Sequence, residues 1–370
     1  MKRLGVCAVV LGALSLGLGC GSDEKSPNQA GVAGDSSGGT NAAGASSGGA
    51  ANGGTASSTG GASSGGANQA GTSSTAGTSS GGGNSGGIST GFPGDVGIES
   101  HPDVIFADDF ESYANSDELW DRWDNFFQTD QTRMATEAEN VYAGMQSLEF
   151  TVPLQDEELS NAVDKYVNPE LDVLYLRYYS KFQPPYNVVG SSHNGSSISA
   201  HYFNGNMATP GIPADGMNKF LVNLENWRGE AATASPGLLN VYVYHPEQRD
   251  NYGDHFFPTG LVMPNTSIPY DFGPDFVERP EIIPDLDRWY CYEYMVKANT
   301  PDVRDGRITV WLDGELVADF QNLRFRDVDT IKIDRFQLSF HIGSNPNGET
   351  KKWFDNVVAA KSYIGPMIMP

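Results

Sequence analysis

The sequence has few cysteines and lacks the common metal and nucleotide motifs. Its 370 residues contain three cysteines, Cys7, Cys20 and Cys291. The first two lie in a segment with the features of an export signal, so Cys291 has no intramolecular partner, which excludes a disulfide-stabilised fold. Phosphate-binding glycine loops, Cys-x-x-Cys pairs and His-Glu-x-x-His are also missing, and nothing therefore indicates a nucleotide-binding or zinc-dependent enzyme.

Positive charge is scarce as well. The chain carries 23 Lys and Arg against 46 Asp and Glu, for a formal net charge of −23. Three bases and three acids precede residue 95, so 20 bases and 43 acids remain from there onward. Such a surface disfavours nucleic acid or an anionic membrane surface as a partner. It also repels polyanionic sugars unless a local basic pocket offsets the field.

The first 20 residues predict export. Lys2 and Arg3 precede the apolar run VCAVVLGALSLGLG, which is too short to span a membrane. The ending GLGC resembles a bacterial lipoprotein processing site, at which Cys20 would carry the lipid. An ordinary secretory signal with an incidental Cys20 is the alternative. We expect an outer-membrane or cell-surface lipoprotein, held to the membrane only by its lipid anchor, or else a secreted protein.

Residues 21–95 contain almost no large apolar side chains. They consist mainly of Gly, Ser, Ala, Thr and Asn, as in SSGGTNAAGASSGGAANGG. Such a segment cannot bury enough apolar surface to offset the entropy lost on folding, which predicts a disordered tether. An adhesive or glycosylated stalk is the alternative use. Residues 100–370 then form one domain, whose length suits a single β-sandwich.

Alternation of apolar and polar residues predicts that this domain is all-β. In residues 307–320, RITVWLDGELVADF, the alternation continues on both sides of Asp313-Gly314, a dipeptide suited to a two-residue turn. The register of that hairpin would place Val310 opposite Val317. We expect the closing strands of a sandwich here.

Several predicted strands have one polar face. The residues that alternation places on such faces are Arg177, Tyr179, Lys181, His201, Asn223, Gln337 and His341. A curved sheet with this polar side concave would form a sugar-binding groove, and recurrence across strands favours that interpretation. The alternative is ordinary solvated sheet surface. These seven residues are our predicted substrate-binding set.

The order of the segments resembles the concanavalin-A-like polysaccharide lyases. The segments that carry the resemblance are FADDFE, LYLRYYSKF, FLVNLENWR, NVYVYHPEQ, RWYCYEYMVKANTP and FDNVV. They are similar to family-fourteen alginate and glucuronan lyases, and to family-twenty glucuronan lyases with their related cellulose-induced core domains. The resemblance spans most of residues 104–364. It implies a β-jelly-roll sandwich and a polysaccharide partner, and its motifs are mostly architectural.

Lyase chemistry defines the candidate catalytic residues. Cleaving a uronate chain by β-elimination needs a group that neutralises the carboxylate, a base for the C5 proton and an acid for the leaving oxygen. The resemblance implies that Arg228 holds the carboxylate and that Tyr242 and Tyr244 act as acid or base. The lysine of family fourteen is replaced by the stretch SHNG, where His193 would act as base in the family-twenty manner.

The sequence also allows other functions. Loss of the family lysine suits a noncatalytic sugar-binding module equally well, with Arg228 paired to nearby carboxylates and His193 in an exposed loop. A glycoside hydrolase is disfavoured. Residues 170–173, ELDV, begin like the Glu-x-Asp-x-x-Glu strand of laminarinases, but Tyr175 replaces the final Glu.

A structural calcium site is a separate prediction. Asp109 and Glu111 point the same way near the start of the domain, and Asp355 lies in the last predicted strand. Terminal strands of such sandwiches commonly neighbour each other, carboxylate oxygens suit a hard cation, and the lyase resemblance includes calcium-bearing relatives. The alternative is surface carboxylates with ordinary hydrogen bonds. We expect no other cofactor and a monomer.

Overall fold

A computed structural model describes residues 86–190, 192–263, 271–343, 345 and 348–370. The predicted signal peptide at residues 1–20, including Cys20, and most of the predicted linker lie outside the described residues, so both stay predictions. No helix in the described part of the chain is long and apolar enough to cross a membrane.

Two large antiparallel sheets, here sheet A and sheet B, make up the described domain; strands are numbered along the chain. The strands of sheet A are β1 (Val104–Asp108), β3 (Thr132–Ala135), β4 (Ser147–Val152), β6 (Val173–Phe182), β15 (Tyr290–Lys297), β16 (Gly306–Leu312), β17 (Glu315–Leu323) and β19 (Thr350–Ala360). The strands of sheet B are β2 (Asn125–Phe127), β5 (Leu159–Leu171), β7 (Ser192–His193), β8 (Ser196–Ala200), β11 (Phe220–Trp227), β12 (Leu238–Tyr244), β13 (Asp254–Phe256), β14 (Val262–Met263) and β18 (Ile333–Ile342).

Strand order joins distant parts of the sequence. Sheet A runs β17-β16-β15-β6-β19-β4-β3, with β1 also paired to β19, and sheet B runs β14-β13-β12-β11-β8-β18-β5-β2, with β7 paired to β18. A small hairpin consists of β9 (Phe203–Asn204) and β10 (Met207–Ala208). The 3₁₀ helices are Ile88–Gly91, Pro93–Asp95, Ile98–Ser100, Ser116–Asp121, Thr129–Gln131 and Ala138–Asn140.

The core lies between the facing surfaces of the two sheets. In β18, Phe336, Leu338 and Phe340 are fully buried in one apolar cluster that draws on strands of both sheets. Successive strand residues point to opposite faces, so the intervening Gln337 and Ser339 lie on the outer surface of sheet B. The predicted all-β jelly-roll sandwich is confirmed.

The β16–β17 hairpin forms in the predicted register next to its turn, with Trp311 opposite Leu316, but beyond a bulge the register differs by one residue. Asp313 and Gly314 both adopt positive φ, 52° and 82°, as a two-residue turn of the predicted type requires. Val310 pairs with Ala318 rather than Val317, because the register shifts between Val310 and the next residue. Alternation alone does not reveal such a bulge.

Both ends of the described domain cover the outer face of sheet A. Near the start, the N–H groups of Ile88 and Ser89 donate to backbone carbonyls near the end of the chain, at 3.1 and 2.9 Å. Glu293 of β15 accepts hydrogen bonds from two backbone N–H groups of the same C-terminal segment, at 2.7 and 2.8 Å. The domain therefore includes residues 86–99, and the predicted linker end at residue 95 is wrong. The composition of this segment did not reveal that it belongs to the domain, because main-chain hydrogen bonds, which do not depend on the side chains, hold much of it in place.

Arg177 lies beneath this cover at the outer face of β6. It is fully buried and donates to the carboxylate of Asp95, to Ser89 Oγ at 3.2 Å and to the Asn356 carbonyl at 3.1 Å. A charge removed from water in this way needs a charged partner and further hydrogen bonds, and Arg177 has both.

Tyr179 and Lys181 occupy the same face of β6. The Tyr179 hydroxyl accepts a hydrogen bond from the Met367 N–H at 2.7 Å, and Lys181 Nζ lies 3.1 Å from the Asp287 carboxylate. The prediction that Arg177, Tyr179 and Lys181 line a groove with residues of sheet B is therefore wrong. Alternation identified the polar face of β6 correctly, but it cannot tell which sheet the strand joins.

Replacing Asp95 by Ala should destabilise the domain by about 3–5 kcal/mol, because Arg177 would keep a buried charge without a charged partner. Urea unfolding of the purified protein measures the change. The control is Glu99→Ala, whose exposed carboxylate lies 3.9 Å from Arg122 and should cost less than about 1 kcal/mol. Equal losses in the two variants would contradict a structural role for the buried pair.

Candidate active site

The outer face of sheet B, here called the polar face, brings together side chains from five strands. In β11, Val222 and Leu224 fill the core, which places Asn223 and Glu225 on the polar face. Cross-strand pairing then sets neighbours side by side: Asn223 with Tyr242, Tyr242 with His255, and His193 with His341. We call the following group the histidine cluster: His193, Glu225, Tyr242, His255 and His341.

The buried carboxylate of Glu225 organises this cluster. His193 Nδ1 lies 2.8 Å from Glu225 Oε2, and His255 Nδ1 lies 3.6 Å from Oε1. The Asn223 side-chain amide is 3.3 Å from the same His193 nitrogen, and Asn240 Oδ1 is 2.9 Å from His255 Nδ1. With Nδ1–H donated to Glu225, neutral His193 has its lone pair on Nε2, the atom that can accept a proton.

The three imidazoles of the histidine cluster have different pKa values. Burial would lower the pKa of His193, but the charge of Glu225 and its hydrogen bond outweigh this effect and raise it above its ordinary value. Burial raises the pKa of Glu225. Burial, together with the nearby His193, lowers the pKa of His255 and of His341 to about 3. A proton added to the cluster near neutral pH therefore goes to the His193–Glu225 pair.

Aromatic rings surround the pair. The ring centroid of Tyr242 lies 4.9 Å from those of both His193 and His255. His193 stacks on His341 at 5.3 Å, and Trp227 lies 5.1 Å from His255. Contiguous rings of this kind can pack against the apolar faces of a sugar.

The Tyr242 hydroxyl stays protonated near neutral pH. Burial, followed by the neighbouring Tyr244 and Tyr202 hydroxyls, raises the pKa of Tyr242 well above its ordinary value. The oxygen accepts a hydrogen bond from the Gly253 N–H at 2.9 Å. Tyr242 can therefore serve as a proton donor, whereas a role as base is disfavoured.

Four buried polar atoms of this face have no hydrogen-bond partner among the described residues: Ser197 Oγ, Ser199 Oγ, Glu225 Oε1 and His341 Nε2. Buried polar atoms are nearly always satisfied by protein, water or ligand. On the polar face these four atoms are available to hydrogen-bond a polar ligand.

Some predicted site residues do not join the cluster. Arg228 donates through Nε and Nη2 to the carbonyls of Thr233 and Ala231, both at 2.7 Å, and so secures its own loop. Tyr244 lies on the polar face, but its hydroxyl accepts a hydrogen bond from the Gly211 N–H at 3.2 Å. The predicted catalytic set thus converges only at His193 and Tyr242.

His201 lies away from the cluster, at the end of β8, with Nε2 3.5 Å from Glu170 Oε1. Glu170 is close to the turn between β5 and β6, and Asp172 in that turn is 2.8 Å from the Arg326 guanidinium. Glu170 and Asp172 therefore do not share a strand face, as the disfavoured glycoside hydrolase hypothesis would require. Asn223, Gln337 and His341 do lie on the polar face, and their role in binding stays a prediction.

Sequence reasoning missed Lys352, which lies inside the core beneath the site. Its ammonium group donates to the carbonyl of Asn194 and lies 3.7 Å from the ring centroid of Phe182. Burial lowers the pKa of Lys352 well below its ordinary value. Asn194 also bonds the backbone of Asn226 twice, at 2.7 and 2.9 Å. Lys352 thus supports the turn that follows His193.

Glu225 and His255 were also missed as site residues. Alternation does place Glu225 beside Asn223, which is a usable signal. No local pattern shows that its partner is His193, 32 positions earlier. His255 belongs to a three-residue strand, too short to show alternation.

The predicted calcium ligands take other partners. Fully buried Asp355 accepts two backbone hydrogen bonds from loop 142–146 through Oδ2, at 2.9 and 3.3 Å, and Glu111 Oε1 accepts two more, at 2.8 and 3.0 Å. Asp109 accepts from the N–H of Glu111. No group of three or more His, Cys, Asp or Glu among the described residues could hold a metal ion. This arrangement does not fit calcium, and binding there stays an unsupported prediction.

Comparisons with known proteins bear on the fold. No protein-family model matches the chain, and no curated protein matches it. Alginate lyase Aly36B is similar in structure, with 18% identity over 70% of this chain and 98% of that chain and a TM-score of 0.51. A double mutant of Aly36B in complex with alginate tetrasaccharide gives the same identity and coverage with a TM-score of 0.50.

An endo-β-1,4-glucuronan lyase from the fungus Trichoderma reesei also matches, with 14% identity over 70% of this chain and 95% of that chain and a TM-score of 0.43. At these identities the likeness concerns the fold alone. The domain has the sandwich fold of the concanavalin-A-like polysaccharide lyases, as the sequence predicted.

Proposed function

We propose that the domain binds a uronate-containing polysaccharide on the polar face of sheet B and cleaves it by β-elimination. The observation that carries the proposal is the 2.8 Å contact between His193 Nδ1 and the buried Glu225 carboxylate, at the centre of a ring-lined face. The fold shared with an alginate lyase solved with an alginate tetrasaccharide supports a sugar chain as the ligand.

His193 is the base in this proposal. Glu225 accepts Nδ1–H and orients the ring, and Nε2 removes the proton from C5 of the uronate. The electron pair left on C5 forms the C4=C5 double bond as the bond from C4 to the leaving oxygen breaks. Tyr242 donates its proton to that oxygen. Because Arg228 is held by its own loop, the substrate carboxylate would be met by the amide groups of Asn223 and Gln337 instead.

A noncatalytic sugar-binding module is the second candidate. The observation that favours it is the placement of Arg228, which leaves no arginine of the described strands and loops beside the histidine cluster to neutralise a carboxylate. Neutral amides stabilise an enolate less well than a guanidinium does.

Export is part of the proposal too. The charged start and apolar run of residues 1–20 support secretion, and Cys20 supports a lipid anchor that would display the domain at the outer membrane or cell surface. Either location would give the domain access to extracellular polysaccharide.

Replacing His193 by Gln should reduce formation of unsaturated product by at least about 100-fold, because the proton acceptor is lost while the amide retains the size and polarity of the site. Ultraviolet absorbance of the unsaturated sugar measures the rate on alginate, glucuronan and other uronate polymers. His101→Gln, outside the polar face, is the control and should keep full activity. A wild-type protein that binds these polymers without forming product would establish the binding module instead.

Glu225→Gln should shift the acid limb of the pH profile of kcat/KM to lower pH. The base must be unprotonated, so activity rises as pH passes the pKa of His193, which the negative charge of Glu225 holds above its ordinary value. Removing that charge lowers the pKa and also reduces kcat, since the ring is less well oriented. Glu230→Gln, in the neighbouring loop, is the control. An acid limb that does not move would refute the assignment of His193 as base.

A further inference from the structure

Lys219 lies on the polar face, but its ammonium group already contacts other groups of the protein. Its ammonium group donates to the carbonyl and hydroxyl of Thr209, at 2.5 and 2.6 Å. It also lies 4.7 and 4.9 Å from the ring centroids of Tyr202 and Tyr244. With the residue only 3% exposed, this cation is enclosed by the loop that covers it.

The guanidinium of Arg335 likewise has its partners within the protein. Nη1 lies 3.0 Å from the Asp164 carboxylate, and Nη2 lies 3.0 Å from Asn206 Oδ1. The guanidinium is sandwiched between the rings of Tyr166 and Phe203, at 4.6 and 4.4 Å. With His193 paired to Glu225, each basic group that the described strands place on this face already has an anionic or neutral protein partner.

The rest of the domain supplies no further positive charge to this face. The domain positions outside the described residues, Ser191, PNTSIPY at 264–270, Ser344, Pro346 and Asn347, include no lysine or arginine. The domain as a whole has 43 acids against 20 bases. A polyanion approaching the polar face therefore meets a repulsive field with no free cation on these strands to offset it.

Neutral hydrogen-bonding groups are abundant on the same face. Ser197 Oγ, Ser199 Oγ and His341 Nε2 are buried and unpartnered among the described residues. Ser197 sits between Gln337 and Asn223 in the sheet, which adds two amides beside it. Serine hydroxyls and a neutral imidazole match the hydroxyl groups of an uncharged sugar, and the two amides suffice for one carboxylate but not for a row of them.

We infer that the site selects an acidic polysaccharide of low charge density, in which a uronate at His193 is flanked by neutral sugars. This inference rests on the proposed function and adds its substrate class. A homopolymer of uronates carries one negative charge per sugar, and each additional carboxylate on the polar face would lose water without gaining a cation. Neutral neighbours instead satisfy the serine and imidazole groups.

The test measures how fast the full-length protein cleaves two oligosaccharides of equal length. One alternates 4-linked uronate and neutral sugars, and the other is a homo-uronate from alginate or glucuronan. We expect kcat/KM for the alternating chain to be at least about tenfold higher at low salt. Added NaCl should raise kcat/KM for the homo-uronate, because it screens the repulsion, and should change the alternating substrate little.

A homo-uronate that is cleaved equally well or better, at a rate that falls with added salt, would overturn the inference and leave the lyase proposal standing. If neither chain gives unsaturated product, the lyase proposal fails, and calorimetric binding of the same two chains decides the inference. Tighter binding of the alternating chain supports it, and equal or weaker binding overturns it.

The variant Met263→Lys tests directly whether charge determines the choice of substrate. Met263 pairs with His255 across β13 and β14, so its side chain lies at the edge of the polar face and outside the histidine cluster. A lysine there should raise kcat/KM for the homo-uronate severalfold at low salt, relative to Met263→Gln, and leave the alternating substrate unchanged. Equal values for the Lys and Gln variants on both substrates would contradict charge as the basis of selection.

Discussion

Alternation along β11, β12 and β18 is the constraint on which both the core and the candidate site depend. Val222 and Leu224 can fill the core only if Glu225 points the opposite way, since neighbouring strand residues face opposite sides of a sheet. A slip of one residue would exchange the two sets. The packing of the core therefore fixes the Glu225 carboxylate, and that carboxylate in turn orients the imidazole of His193.

The two outer faces have different roles. On sheet A, both ends of the described domain cover the surface, and the buried Arg177–Asp95 pair secures the N-terminal cover. On sheet B, the polar face presents rings and unpartnered polar atoms. Lys352 connects the two sheets, because it arises from β19 of sheet A and reaches through the core to the turn that follows His193.

The sequence predicted what depends on local pattern. It predicted the sandwich, the turn at Asp313-Gly314 and the outward direction of Gln337 and His341, because alternation and turn chemistry are properties of neighbouring residues. It could not predict the sheet that Arg177 joins or the loop carbonyls that Arg228 binds. Those outcomes depend on pairing between distant segments, as does the approach of His193 to Glu225.

The most direct test of this account is an NMR titration of the histidine side chains with and without a short uronate-containing oligosaccharide. The ligand should shift the signals of His193, His255 and His341 and change the apparent pKa of His193, while His101 near the cover of sheet A is unaffected. A ligand that perturbs His101 and leaves these three histidines unchanged would contradict the placement of the site on sheet B.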